Sequence, residues 1–229
     1  MEKVSVPLYT AWGMVEGNDM DKIVVMGGSF NPPTCAHLRL LQAAVDSLGA
    51  DRGIFVPSSH GYVSRKMKRT KQPREVLSEE LRLRMLSAMC QDDCRLVVED
   101  CEYHRTEKGY TYESMETIQE KYPHAELFFL AGGDKVSVIS RWHRIREFLE
   151  RFKIVVVRRD GSDPKGELEE NAFLRNYLDR FFVIPAPGGL EGISSGAVRE
   201  KLRTGDRGAE ALLHPEVWHI LQENGGMGT

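Results

Sequence analysis

A chain of 229 residues is long enough for one α/β domain with a sizeable core. With 41% apolar and 28% charged residues it has the composition of an ordinary globular protein, and a formal net charge of −3 gives no ground for general nucleic-acid binding. No apolar run approaches the roughly 20 residues of a membrane helix, and Cys35, Cys90, Cys94 and Cys101 match neither a CxxC pair nor a zinc knuckle, so free thiols in a reducing compartment are expected.

The first twenty residues hold Pro7, Trp12, Gly13 and several acids, and lack the basic start and apolar core of a signal peptide. Residues 1–21 therefore read as a loosely packed extension. A strand follows over 23–26, then a glycine turn and a helix over 34–48. That helix carries Leu38, Leu41, Val45 and Leu48 on one stripe and stops at Gly49. After a second strand at 53–57, the stretch from Ser58 to Arg69 reads as a solvated basic loop. Ser78 caps a helix over 79–90, whose Leu81, Met85 and Met89 face inward. Further strands are predicted at 95–99, 126–131, 152–158 and 181–185. The remaining helices fall near 112–121, 143–150, 167–178, 195–203 and 215–223, the last opened by Pro215. Residues 225–229 form a frayed tail, and no linker divides 22–224. The alternation implies one α/β domain, doubly wound, with a mostly parallel sheet covered by helices on both faces. Ligands of such sheets sit beyond the carboxyl ends of the strands, at the switch point.

The segment Gly27-Gly28-Ser29-Phe30-Asn31-Pro32-Pro33-Thr34-Cys35-Ala36-His37 lies at that place after the first strand. A helix start offers unpaired N–H groups and a partial positive charge, which suits phosphate. His37, in the first turn, reaches the same anion. Neither GxxxxGK[ST] nor GxGxxG is present, which sets aside the commoner phosphate loops.

Thr34-Cys35-Ala36-His37 resembles the (H/T)xxH motif of the nucleotidyltransferase superfamily, and the preceding Gly28-Ser29-Phe30-Asn31-Pro32-Pro33 resembles the nicotinamide/nicotinate mononucleotide adenylyltransferases in particular. Ile193-Ser194-Ser195-Gly196-Ala197-Val198-Arg199 resembles that family's ISSTxxR, with Gly196 where the threonine usually stands. Physically, the two serines open a helix, and Arg199, one turn on, can fork onto phosphate oxygens. Gly132 and Asp134 match the family's ribose-contacting GxD; a glycine admits the sugar and a carboxylate accepts its hydroxyls. Trp142 stands where the family stacks a tryptophan on the pyridine ring. Asp100-Cys101-Glu102-Tyr103-His104-Arg105, followed by Tyr110-Thr111, resembles the bacterial nicotinate-type DxExxR and SYT. There Thr111 matches the residue near the pyridine's carboxyl or amide group, and Glu102 and Arg105 are read as loop braces. Tyr62, Arg65 and Lys66 lie where the family carries aromatic and basic residues near substrate phosphates.

The resemblance implies a Rossmann-like fold and transfer of AMP from ATP to a pyridine mononucleotide, releasing pyrophosphate. It places ATP on Gly28, Ser29, Phe30, Thr34, His37, Gly132, Asp134, Ser194, Ser195 and Arg199. It places the pyridine nucleotide on Ser29, Phe30, Tyr62, Arg65, Lys66, Thr111 and Trp142, with His37 and Arg199 assisting the transfer. The attacking phosphate is already ionised, so no protein base or nucleophile is expected. Mg²⁺ is expected on the ATP phosphates with no protein metal ligands. Also implied are a cytoplasmic site (nuclear if the source is eukaryotic), no nucleic-acid or membrane partner, and a homo-oligomer as the family often forms. Thr34 and Ala36 stand closer to the eukaryotic pattern, while the DxExxR and Tyr110-Thr111 stretch leans to nicotinate. Two other readings stay open here: another acceptor, as in pantetheine-phosphate adenylyltransferase or a small cytidylyltransferase, and a non-catalytic nucleotide-binding module. Cys35 is also a candidate for oxidation at the motif.

Overall fold

Strand β1 (Lys22–Gly28) shows why the sheet is buried on both faces. Val24 packs into one core, and its neighbours Ile23 and Val25 pack into the other. Successive side chains of a strand alternate sides, so an unbroken apolar run serves a sheet covered twice. The same holds for Ile54, Phe55 and Val56 of β2 (Arg52–Pro57) and for Ile154, Val155 and Val156 of β5 (Lys153–Arg158). The computed structural model describes residues 21–69, 76–103, 109–158 and 161–225. Residues 1–20 of the predicted extension over 1–21, residues 226–229 of the predicted tail over 225–229 and the brace assigned to Arg105 lie outside them.

With β3 (Leu96–Val98), β4 (Glu126–Gly132) and β6 (Phe181–Pro185), the sheet runs β3-β2-β1-β4-β5-β6 and every pairing is parallel. This is the doubly wound Rossmann-like arrangement. The chain steps outward from β1 to β3, then returns beside β1 as β4. The order reverses between β1 and β4, and ligands of such sheets bind beyond the carboxyl ends there.

Helix α1 (Cys35–Leu48) lays Leu41 and Val45 on the sheet and ends on Gly49 at φ 55°. Its close seat depends on Gly53. A Cβ there would stand 2.6 Å from Leu96 Cδ2 and 2.9 Å from Leu41 Cγ. Helices α3 (Glu79–Met89), α8 (Ser195–Arg203) and α9 (Pro215–Glu223) contribute to that same core, through Met85, Met89, Val198, Val217 and Leu221. The opposite core takes Met115 and Ile118 of α4 (Thr111–Lys121), Val136 and Ile139 of α5 (Val136–Ile139), and Phe148 of α6 (Ile145–Arg151).

Among the stretches that differ from the sequence prediction, two replace a predicted element with another. Residues 58–69 hold helix α2 (His60–Lys68), where the basic run predicts a solvated loop. Ser59 Oγ accepts the N–H of Tyr62, and Val63 and Met67, four apart, are both buried. Four cations between and after them mask this pattern, yet the last turn of a helix is where cations are favoured. The helix predicted over 167–178 is broken. Helix α7 (Pro164–Glu170) starts earlier, on an Asp163 cap, and Asn171 ends it with extended backbone. Asn171 Oδ1 accepts the N–H groups of Phe173 and Leu174 at 3.1 and 3.0 Å, and a 3-10 segment over Leu174–Arg180 follows. Asparagine offers the backbone a local alternative to the helix ladder.

Candidate active site

The loop after β1 turns sharply on Phe30, whose φ is 43°. Its ring folds back beneath the loop and is buried, edge-on to His37 at 5.1 Å and to Phe55 at 5.5 Å. Gly28 makes this possible: a Cβ there would lie 2.9 Å from Phe30 Cζ. The ring therefore supports the loop from inside the core.

Thr34 is the N-cap of α1, and His37 is the third residue of that helix. His37 Nδ1 accepts the Thr34 N–H at 3.0 Å, as the third residue does in a capping box. Thr34 Oγ1 lies 2.7 Å from the same nitrogen. A nitrogen that accepts an N–H cannot carry a proton, so the neutral ring bears its hydrogen on Nε2. Burial, then the neighbouring Lys66 ammonium, push the imidazole down to about 4. The ring is thus a neutral N–H donor at physiological pH.

The second motif is fastened to the first. Ser194 Oγ caps α8 by accepting the Ala197 N–H at 3.1 Å. Ser195 Oγ donates to the Pro32 carbonyl at 2.7 Å, and Arg199 Nη1 donates to the Asn31 carbonyl at 2.6 Å. These two bonds, across more than 160 residues, bring the N-termini of α1 and α8 to one place. At Gly196 an added Cβ would meet nothing nearer than Ser194 Oγ at 3.6 Å and Arg199 Nη2 at 3.9 Å. The position has room for a Cβ.

A further cation joins from α2. Lys66 Nζ donates to Ser29 Oγ at 3.1 Å. Lys66 is exposed on α2 by surface area, yet partial desolvation of its ammonium against the loop, then the cations Lys135 and Arg199, lower its pKa. Three positive side chains from three separate elements thus gather beside a neutral N–H donor. Like charges brought this close favour an anion among them. Lys135 escapes notice in the sequence because it follows Asp134 as an ordinary charged neighbour; the two form an ion pair at 2.7 Å. Asp134 itself is exposed at the end of β4, and a Cβ on Gly132 would strike Asp134 Oδ1 at 2.5 Å.

A second group lies along α4 and α6. Thr111 is the first residue of α4, and Ser114 Oγ donates to Glu102 Oε1 at 2.7 Å, which fits Glu102 as a brace. Tyr110 stacks on His143 at 4.2 Å. Trp142 is half-buried, edge-on to Phe129 at 5.6 Å and to Phe148 at 6.1 Å. Tyr62 and Arg65 are exposed on α2.

Cys35 is half-buried at the start of α1, and burial pushes its thiol above the ordinary range. Reaction with peroxide needs thiolate. Unchanged turnover after mild peroxide is the expected result, and loss of activity that Cys35→Ala prevents would contradict it.

Buried Arg82 on α3 is the residue that pattern reading misses most completely. It donates to the carbonyls of Ser29 (3.0 Å), Ser58 (2.7 Å) and Leu77 (3.3 Å). The only sequence signal is an arginine on the inner side of an otherwise amphipathic helix.

A model of the cytidylyltransferase-like family matches residues 25–201. Two curated bacterial proteins named probable nicotinate-nucleotide adenylyltransferase are similar over most of their length. The one from Streptococcus pyogenes is 33% identical over 205 residues, 89% of this chain and 87% of that protein. The one from Carboxydothermus hydrogenoformans is 32% identical over 183 residues, 80% and 86%. Among solved structures, nicotinic acid mononucleotide adenylyltransferase of Plasmodium falciparum complexed with NaAD superposes with a TM-score of 0.66. It is 18% identical, over 89% of this chain and 96% of that one. Among the described residues, no helix is long and apolar enough to cross a membrane.

Proposed function

From a chain that belongs to the cytidylyltransferase-like family, and within it to the nicotinate-nucleotide adenylyltransferases, we infer how its own residues join the AMP unit of ATP to nicotinate mononucleotide. The enzyme is a nucleotidyltransferase whose products are the dinucleotide and pyrophosphate. The observation that carries the assignment of roles is the convergence of Lys66, Arg199 and the His37 N–H donor on the joined starts of α1 and α8.

The triphosphate lies across those helix starts, where unpaired N–H groups and the dipoles favour anions. His37 Nε2–H donates to an oxygen of the phosphate under attack. Arg199 and the N-terminus of α8, capped by Ser194 and held by Ser195, take the β- and γ-phosphates. The mononucleotide's 5′-phosphate oxygen attacks the α-phosphorus from the side of Lys66 and α2, where Arg65 and Tyr62 are also presented. Gly132 and Asp134 receive ribose hydroxyls, and Trp142 and Thr111 receive the pyridine ring and its carboxylate. Catalysis rests on alignment and on charge placed in advance where it develops.

Among the described residues no group of three or more His, Cys, Asp or Glu side chains gathers. A magnesium ion carried on the triphosphate would need no protein ligand and would supply charge neutralisation at the phosphates.

Pyrophosphate release with ATP, Mg²⁺ and either pyridine mononucleotide, run side by side, tests the assignment. Faster release with nicotinate mononucleotide is expected. Absence of release with both, alongside turnover of a different acceptor phosphate, would overturn it.

A further inference from the structure

The phosphate cradle has a buried back plate. Arg82 has no exposed surface, and its guanidinium gathers carbonyl oxygens from three separate loops. Nη1 donates to the Ser29 carbonyl in the loop after β1 and to the Ser58 carbonyl after β2. Nε donates to the Leu77 carbonyl just before α3. The loops are tied to one another at the same place. Ser58 donates its N–H to the Gly28 carbonyl at 2.8 Å, and Leu77 donates its N–H to Asn31 Oδ1 at 2.9 Å.

The three guanidinium bonds all hold main-chain carbonyls on the buried side of these loops. A phosphate loop needs the reverse of its peptide dipoles in front, with N–H groups toward the anion and carbonyls away from it. A buried guanidinium behind the loop takes those carbonyls, and its fixed charge adds to the field under the anion. The chain of contacts then continues outward. Ser29, whose carbonyl Arg82 holds, receives Lys66 Nζ on its hydroxyl, and Lys66 is the cation beside His37. The ring of Tyr103 lies against the guanidinium, with Cζ 5.3 Å from its centroid.

We propose that Arg82 is a positioning residue for adenylyl transfer, acting through the Ser29 and Ser58 carbonyls to hold the loop after β1 and helix α2 in the phosphate-binding arrangement. The proposal rests on the reaction assigned above, and it goes beyond the residues that bind substrate.

Arg82→Met keeps the length and removes every donor, whereas Arg82→Lys keeps the charge and one donor group. The expected result for Arg82→Met is a turnover lower by about 10²-fold with a raised KM for ATP, since misplacement of about 1 Å has effects of that size. Arg82→Lys is expected to recover part of the loss. The second readout needs no turnover. With the loop released, Lys66 moves off Ser29, and the His37 imidazole titrates above its wild-type value by NMR in the free protein. A residue that only added stability would lower the melting temperature and leave the titration of folded protein unchanged. Wild-type turnover, ATP affinity and His37 titration in a folded variant would overturn the proposal. If Arg82→Met does not fold, Arg82→Lys carries both readouts. If wild-type enzyme fails to turn over nicotinate mononucleotide, the assigned reaction falls, and the titration and the affinity for a non-hydrolysable ATP analogue still judge Arg82.

Discussion

Replacing His37 with alanine is expected to cut pyrophosphate release by about 10²-fold or more while the protein stays folded. The imidazole is fixed by a backbone N–H on Nδ1, held neutral by burial and Lys66, and backed by the Phe30 edge. Its Nε2–H is thus aimed before substrate arrives and needs no reorganisation during transfer. The loss should fall on kcat more than on the KM for ATP, because the donor matters most as charge builds at the transferring phosphorus. Near-normal turnover in a folded His37→Ala protein would remove the role.

The same side chain has a pH signature. Its folded value of about 4 lies below the roughly 6.5 of an unfolded histidine, so the unfolded chain binds more protons between those values. The contribution to stability is complete above about pH 6.5 and is lost as pH falls through about 4, on the order of 3 kcal/mol in all. Denaturant melts at pH 7 and pH 4.5 should show a smaller difference for His37→Ala than for wild type. An ATP analogue, bringing negative charge to Nε2, should raise the imidazole's titration point.

Both ends of this site were legible in the sequence because they are local. A glycine turn, a cap and a histidine three residues on declare a helix start, and Ser194-Ser195 declare another. What joins them is not local. The bonds from Ser195 to Pro32 and from Arg199 to Asn31 span most of the chain, and no spacing rule announces them. Arg82 is hidden for the same reason, since its three partners are backbone carbonyls, which leave no trace in residue identity. Helix α2 was obscured because charge outvoted a correct cap and a correct apolar pair. Thr34 and Ala36 pulled toward a eukaryotic pattern, whereas the similar curated proteins are bacterial and carry the nicotinate name. The nicotinate leaning of the Glu102 and Thr111 stretch is the one the relatives support.

Arg199→Ala is expected to weaken the enzyme through the leaving group. The side chain does two things at once: Nη1 holds the Asn31 carbonyl, and the guanidinium charge acts on Lys66, whose pKa it helps to lower. Loss of the fixed bond removes a charge-assisted tie between α8 and the first loop, about 1.5–3 kcal/mol of stability by analogy with other hydrogen bonds to charged groups. Loss of the charge removes a partner of the β- and γ-phosphates, for which a fall of about 10²-fold in kcat/KM for ATP is expected. The direction of the reaction separates the two effects. In reverse, dinucleotide and pyrophosphate give ATP, and only pyrophosphate occupies the Arg199 end. The variant should therefore show a raised KM for pyrophosphate with the KM for the dinucleotide close to wild type. Arg199→Lys keeps a positive charge but cannot both hold Asn31 and fork onto phosphate, so it should recover stability better than it recovers the pyrophosphate KM. Equal weakening of dinucleotide and pyrophosphate would mean that Arg199 serves the loop alone, and the phosphates would then have to be held by Lys66, Lys135 and the start of α8.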